Sequence, residues 1–347
     1  MKKSKIVIFK NDRIGDLMYS IDPLKHIILQ NKDKEIILYL SKINYLMKFI
    51  FEEETNVTFK QIGYHPSLYQ KLSILINILK NKVEKIYIFS PKLFYFILPI
   101  LFFYKKIKYY ALCVDSIDGY KRPGVFLRKF LHKYVINDRS TKKIRRHTTS
   151  LQKELVSMDH DLEYKKYNFK KNLDFFELLP EKYLLIHFKK LMYDEVKWSI
   201  NDFVKLIEKL ENRSLPIIVI KDMGLDKYTS LFKNKFDYIN ITTKEKKLTG
   251  KKTIFVDDLS GINFFNIIAN AYIVIGPHGT ITSIANYCKV NVVDMFYYKI
   301  NSISDFYDIK NAFHEFIKKS NNYNFTSVNK NCHKTINKID RILNKYE

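Results

Sequence analysis

The stretch Lys5-Ile6-Val7-Ile8-Phe9-Lys10-Asn11-Asp12-Arg13-Ile14-Gly15-Asp16 decides how the chain reads. Ile6–Phe9 is a short apolar, partly β-branched run, which predicts a strand. After it, Leu17, Ile21, Leu24, Ile27 and Ile28 recur at helical spacing and predict a helix over Asp16–Gln30. A strand that breaks at a glycine and hands over to a helix puts its turn at the carboxyl edge of a sheet, where open α/β sheets bind ligands. Gly15 permits close backbone approach. Asp16 offers a carboxylate at the helix start, where it either caps the helix or faces a ligand.

The first half of the chain alternates between two periodicities. Strands are expected at Ile6–Phe9, Glu35–Leu40, Lys85–Phe89 and Ile107–Cys113. Helices are expected at Asp16–Gln30, Lys42–Phe51, Pro66–Asn81, Lys92–Tyr104 and Thr148–Met158. Such alternation predicts a parallel sheet with crossover helices. A polar segment follows, and then a second alternating set. Its strands are expected at Tyr183–His187, Leu215–Ile220, Tyr238–Ile241, Thr253–Val256, Tyr272–Ile275 and Asn291–Met295. Its helices include Asn201–Glu211, Gly261–Asn270 and Gly279–Cys288, and an amphipathic helix over Thr335–Tyr346 closes the chain. The organisation expected is an α/β domain over 1–160, a linker over 161–180, a second α/β domain over 181–330 and a C-terminal helix over 331–347. A cleft between two such units is a common ligand site.

A chain of 347 residues is long enough for two domains, and a hydrophobic content of 46% supports substantial cores. Only nine glycines occur, and neither GxGxxG nor GxxxxGK[ST] is present, so the usual dinucleotide fingerprint and P-loop are excluded. The formal charge of +24 draws polyanions: nucleic acid, anionic membrane or phosphorylated glycolipid. Lys, Asn, Ile, Tyr and Phe are abundant together, as an AT-rich genome produces, so part of the basic excess is compositional. The lysines are also dispersed, which argues against a dedicated nucleic-acid surface. Three widely spaced cysteines form no CxxC or disulfide framework, which fits a reducing cytosol. The apolar run Ile6–Phe9 is too short for a signal-peptide core. Leu93–Tyr104 falls short of the ~20 residues needed to span a bilayer. It reads as a buried helix or as an interfacial one with Lys105, Lys106 and Lys108 at head groups.

The second informative segment is Ile275-Gly276-Pro277-His278-Gly279-Thr280-Ile281-Thr282-Ser283-Ile284-Ala285. It follows an apolar strand and opens a helix, so Gly279 and Thr280 sit at a helix N-terminus, where free N–H groups and the dipole favour an anion such as a nucleotide diphosphate. Asp222 follows a strand at the same sheet edge and is placed to hydrogen-bond a ribose. No HExxH or His/Cys cluster with ligand spacing appears, and Asp159-His160-Asp161 follows a helix rather than a strand, so no metal site is expected.

Arg13-Ile14-Gly15-Asp16 followed by Ser20-Ile21-Asp22-Pro23-Leu24 resembles the opening of the bacterial heptosyltransferase-like glycosyltransferases. Gly276-Pro277-His278-Gly279 is similar to that family's Gly-Pro-Asp-x-Gly-Pro-x-His donor loop, with matches at Gly276, Pro277, Thr282, Ile284 and Ala285. It departs from the loop at His278 for Asp, Thr280 for the second Gly and Ser283 for His. Gly-Pro-His-Gly also resembles a loop of another GT-B-like transferase family, which lacks the Arg-Ile-Gly-Asp opening. Trp198 and Phe203 keep the family's Trp-to-Phe spacing, with Lys197 one residue off the family's lysine. Asp257-Asp258-Leu259-Ser260 is similar to its Asp-Leu-Ser segment, which carries packing and capping.

The resemblance implies a GT-B fold, two Rossmann-like domains facing across a cleft, and an inverting, metal-independent glycosyltransferase. Asp16 would be the general base, and Arg13 would pair with Asp16 or hold an acceptor anion. Gly276, His278, Gly279 and Thr280 would bind a nucleotide-diphosphate sugar, with Lys189, Lys190 or Lys197 neutralising the diphosphate. That donor is a substrate, and no further cofactor is implied. The sugar would be heptose or a related one. The acceptor would be a lipid-linked saccharide, such as a lipopolysaccharide core, at the cytoplasmic face of the inner membrane, with peripheral contact to anionic lipid and no specific nucleic acid. Two other readings stand beside it: a polyanion-binding protein, and a degenerate GT-B protein without activity.

Overall fold

The computed structural model describes residues 3–116, 119–139, 146–160, 162, 176–189, 194–222, 226–259, 261–296 and 322–346. These residues fall into two compact α/β units, one N-terminal and one C-terminal.

The first unit is built on seven strands: β1 (Lys5–Lys10), β2 (Glu35–Ser41), β3 (Val57–Ile62), β4 (Val83–Ile88), β5 (Lys108–Asp115), β6 (Lys121–Arg122) and β7 (Lys133–Asp138). Their order is β3-β2-β1-β4-β5, with β6 and β7 both pairing β5. All neighbours are parallel except β5 and β6. Strand order reverses between β1 and β4, which makes their carboxyl ends the switch point. The apolar residues of β1 are buried from Ile6 to Phe9, and Val7 and Phe9 share a core with Ile74, Ile78, Tyr95 and Phe96 of the two helices Leu68–Lys80 and Leu93–Leu101.

Several expected elements differ in detail. The single helix expected over Asp16–Gln30 is two, Ile14–Met18 and Ile21–Leu29. Pro23 cannot donate a backbone hydrogen bond, so a second helix starts where Pro23 lies in its first turn and no partner is needed. Lys42–Phe51 likewise splits into Lys42–Tyr45 and a 3₁₀ turn at Lys48–Phe51. Strands β3, β6 and β7 were not expected from the sequence.

The second unit holds β8 (Leu184–Phe188), β9 (Ile217–Lys221), β10 (Asp237–Asn240), β11 (Lys246–Lys247), β12 (Thr253–Asp257), β13 (Ile273–Pro277), β14 (Asn291–Phe296) and β15 (Tyr323–Ser327). The order is β11-β10-β12-β9-β8-β13-β14-β15, parallel except for β10 with β11. The switch point lies between β8 and β13. The helix Cys332–Leu343 packs Ile336, Ile339 and Leu343 into this unit's core beside Phe203 and Leu206 of the helix Ile200–Glu211. Arg213 Nη2 clips it at Asp340, 2.6 Å away.

Candidate active site

In the first unit the turn after β1 opens on a cavity of about 480 Å³ at the sheet's carboxyl edge. Lys10, Asp12, Arg13 and Asp16 come from that turn. Ser90 and Lys92 follow β4, Arg122 belongs to β6, and Arg139 follows β7. Five cationic side chains therefore surround two carboxylates.

The two carboxylates have different surroundings. Asp12 Oδ2 receives Lys10 Nζ at 2.7 Å and Ser90 Oγ at 3.0 Å, while its Oδ1 receives Asn44 Nδ2 at 3.1 Å. Lys10 is itself buried, so this carboxylate closes a structural network. Asp16 lines the cavity with only a backbone bond from the Arg13 segment to its carboxylate. Burial raises its pKa above the ordinary aspartate value, the Asp12 charge adds to that, and Lys10 and Arg13 oppose it. A carboxyl with a raised pKa in a cleft is a stronger base than one in water.

Arg13 is exposed at the rim, and among the described residues no ion pair joins it to Asp16. Of its two sequence-level roles, the geometry leaves it as a cation for an incoming group. Lys92 is half-buried, and its pKa is lowered by burial and by the charges of Arg122 and Lys10, against the pull of Asp12 and Asp16. Its ammonium lies 3.4 Å from the centre of the Tyr64 ring.

Lys10, Lys92, Arg122 and Arg139 were not singled out from the sequence. Lys92 had a usable signal, since it follows Phe89-Ser90-Pro91 at the end of an expected strand. Arg122 and Arg139 had none, because β6 is two residues long and β7 was not recognised.

In the second unit the loop after β13 meets the residue after β8. Lys189 Nζ is 3.4 Å from the His278 carbonyl oxygen, and a Cβ added to Gly279 would lie 3.4 Å from the same Nζ. Gly279 has φ +150 and precedes the helix Thr280–Tyr287 without a capping side chain. A cation and a helix N-terminus thus share one corner, as an anion site requires.

His278 Nδ1 is 2.7 Å from Asp294 Oδ2, which also accepts from the Tyr323 hydroxyl at 2.5 Å. Asp294 is fully buried on β14. It fixes the orientation of the imidazole through Nδ1. Asp294 and Tyr323 are further residues the sequence reading missed, because the aspartate sits inside an apolar strand and β15 was not recognised.

Of the remaining expected donor residues, Gly276 allows β13 to lie close to β8. A Cβ there would meet His187 Cβ at 3.1 Å and Ile281 Cγ2 at 3.4 Å. Asp222 follows β9 and is held 3.0 Å from His187 Nε2, so it stands at the same edge but is engaged by the protein. Lys197 is exposed with φ +60, and no described contact joins it to the loop. Lys190 lies outside the described residues, as does Asp161 of the Asp159-His160-Asp161 segment. Among the described residues no group of three His, Cys, Asp or Glu side chains is arranged to hold a metal.

Trp198 donates from Nε1 to the Asn329 carbonyl at 2.8 Å and is buried with Phe203, which assigns that pair to packing. Asp257 is ion-paired with Lys221 at 2.9 Å, both nearly buried, and accepts from the backbone of Asp258, a structural role.

No protein-family model matches the chain, and no curated protein sequence does. Solved structures match its fold. The E. coli heptosyltransferase WaaC with ADP-2-deoxy-2-fluoro heptose aligns at a TM-score of 0.63 and 9% identity, over 99% of this chain and 100% of that one. The glycosyl transferase family 9 protein from Veillonella parvula DSM 2008 aligns at 0.58 and 12% identity, over 93% and 86% of the two chains. The UDP-GlcNAc 2-epimerase from Methanocaldococcus jannaschii aligns at 0.56 and 16% identity, over 99% and 93%. At these identities the likeness is one of fold, and it spans both units. The chain therefore has a GT-B fold, two Rossmann-like domains each with charged side chains at its sheet's switch point.

Proposed function

We propose that this protein is an inverting, metal-independent glycosyltransferase that moves a sugar from a nucleotide-diphosphate donor to an anionic, lipid-linked saccharide. The observation that carries this reading is Asp16, a half-buried carboxylate of raised pKa in a cavity whose lining includes Asp12 and five cationic side chains. Asp16 takes the proton of the acceptor hydroxyl as that oxygen attacks the anomeric carbon. The bond from the anomeric carbon to the diphosphate breaks, and the diphosphate leaves with the electron pair. Lys189, the His278 imidazole and the Gly279–Thr280 helix terminus meet its charge, so the reading needs no metal. Arg13, Lys92, Arg122 and Arg139 hold phosphate or carboxylate groups of the acceptor.

The sugar is read as heptose or a related one, since the WaaC structure of like fold is described with an ADP-heptose analogue. The acceptor is read as a lipopolysaccharide-type or other cell-surface glycan, met at the cytoplasmic face of a membrane. The test is release of nucleoside diphosphate from a panel of nucleotide sugars supplied with glycolipid extracts. Asp16→Ala should lower the rate about 10²–10⁴-fold while the protein stays folded. Turnover by that variant within a few-fold of the wild type removes the base assignment.

A further inference from the structure

The helices Leu68–Lys80 and Leu93–Leu101 of the first domain each carry a second, exposed apolar stripe. In the helix Leu68–Lys80, Ile74 and Ile78 face the core. Leu68, Leu72, Ile76 and Leu79 recur at helical spacing on a different face, and all are exposed, as is Tyr69, at 73% for Leu68 and 80% for Tyr69. In the helix Leu93–Leu101, Tyr95, Phe96 and Leu98 are buried, whereas Leu93, Ile97, Ile100 and Leu101 are exposed. The chain then continues into Phe103, 79% exposed, and Tyr104.

The helices are neighbours. Lys71 Nζ stands 5.8 Å from the centre of the Phe94 ring, and Lys105 Nζ reaches the Ile78 carbonyl at 2.8 Å. Both bury their inner stripes in the same core, so the outer stripes lie on one layer. A surface helix of a soluble domain ordinarily carries one apolar stripe, and a cluster of exposed large apolar side chains on adjacent helices marks an interaction surface.

We infer that this face is a lipid-docking surface that seats the first domain on an anionic membrane. Charge decides the occupant. The sole carboxylate between Gly63 and Tyr110 is Glu84, which is already paired with Lys34, whereas Lys80, Lys82, Lys106 and Lys108 are exposed around the far end of the stripes. An apolar stripe flanked by lysines suits acyl chains below and anionic head groups beside them. Among the described residues no helix is long and apolar enough to cross a membrane, so the contact is interfacial. The stripes begin at the cavity: Lys92 and Tyr64 line it, and Leu93 and Leu68 follow them in the chain. Docked this way, the cavity mouth stands at the lipid surface. This deepens the proposal of a lipid-linked acceptor, but its test uses neither donor nor acceptor.

The test is flotation of the purified full chain with phosphatidylcholine vesicles, with and without a third of phosphatidylglycerol, alongside its mass in solution without lipid. The chain should float with the anionic vesicles and less with the neutral ones. Ile97→Glu with Phe103→Glu should weaken binding about tenfold or more, as the loss of buried apolar side chains dictates. Lys106→Gln and Lys108→Gln should each weaken it about fivefold. Leu72→Ser with Ile76→Ser, a milder pair, gives the same reading if the first pair fails to fold. Wild-type protein that ignores anionic vesicles, or binding that the folded variants leave unchanged, overturns the inference. So does a dimer in solution that the same substitutions dissociate, since a second copy would then be the occupant.

Discussion

Asp12 accepts from Lys10, Ser90 and Asn44, whereas Asp16, one helical turn later, keeps its carboxylate on the cavity. The two should respond oppositely to mutation. Asp12→Ala strips the partner from a lysine that is almost wholly buried, and breaking such a pair costs about 3–5 kcal/mol, measurable as a lowered denaturant midpoint. Asp16→Asn removes a carboxylate that burial disfavours in its charged form, so it should raise the melting temperature while slowing transfer about 10²–10⁴-fold. The pH dependence follows with a definite sign. Because the folded pKa of Asp16 is raised, its protonated form is the one the fold favours, and its contribution to stability is present at low pH and lost as pH rises through the folded pKa. Transfer needs the deprotonated form, so the acidic limb of the rate profile should lie above the usual aspartate range and vanish with Asp16→Asn. A limb unchanged in position by that substitution belongs to another group.

At the scale of elements, the strand–turn–helix junctions were legible because each couples an apolar run to a change of period. β1 and β13, with the turns after them, lie within a residue or two of where the sequence puts them. β3, β7 and β15 escaped notice for one physical reason. Thr58, Lys60 and Gln61 in β3, Lys133 and Asp138 in β7, and Asn324 and Thr326 in β15 leave at most three consecutive apolar residues to read, because strands near a sheet's margin are covered less and tolerate polar residues. The cavity was half legible for the same reason. Its β1 residues announced themselves, while Arg122 and Arg139 ride on elements without a pattern.

Gly276 gives an element-scale test. An alanine there meets His187 across the β8–β13 pair at 3.1 Å, so Gly276→Ala should destabilise the second domain by about 1–3 kcal/mol, seen in denaturant unfolding. His278→Ala should leave the fold in place and weaken diphosphate binding, because the imidazole is braced by Asp294 rather than built into the core. Equal nucleotide affinity in that variant excludes His278 from the donor site.

Across the whole molecule, the +24 charge reads differently once the residues have places. Part of it is gathered where an anion would be held: in the first domain's cavity, along the edge of its apolar face, and at Lys189 beside a helix terminus. Each of the two sheets carries its reactive side chains at its own switch point. That pattern supports a donor in one domain and an acceptor in the other.

On the proposed mechanism the second domain binds a nucleotide diphosphate that serves the base in the first. Thermal unfolding of the full chain against ADP, GDP, UDP, CMP and their sugar conjugates tests it most directly. A ligand at 100 times its dissociation constant adds about 2.7 kcal/mol. One nucleoside diphosphate and its sugar should stabilise the protein, an effect retained in Asp16→Ala and weakened in Lys189→Ala and His278→Ala. Stabilisation by none of them, or one that those two substitutions leave untouched, would contradict it.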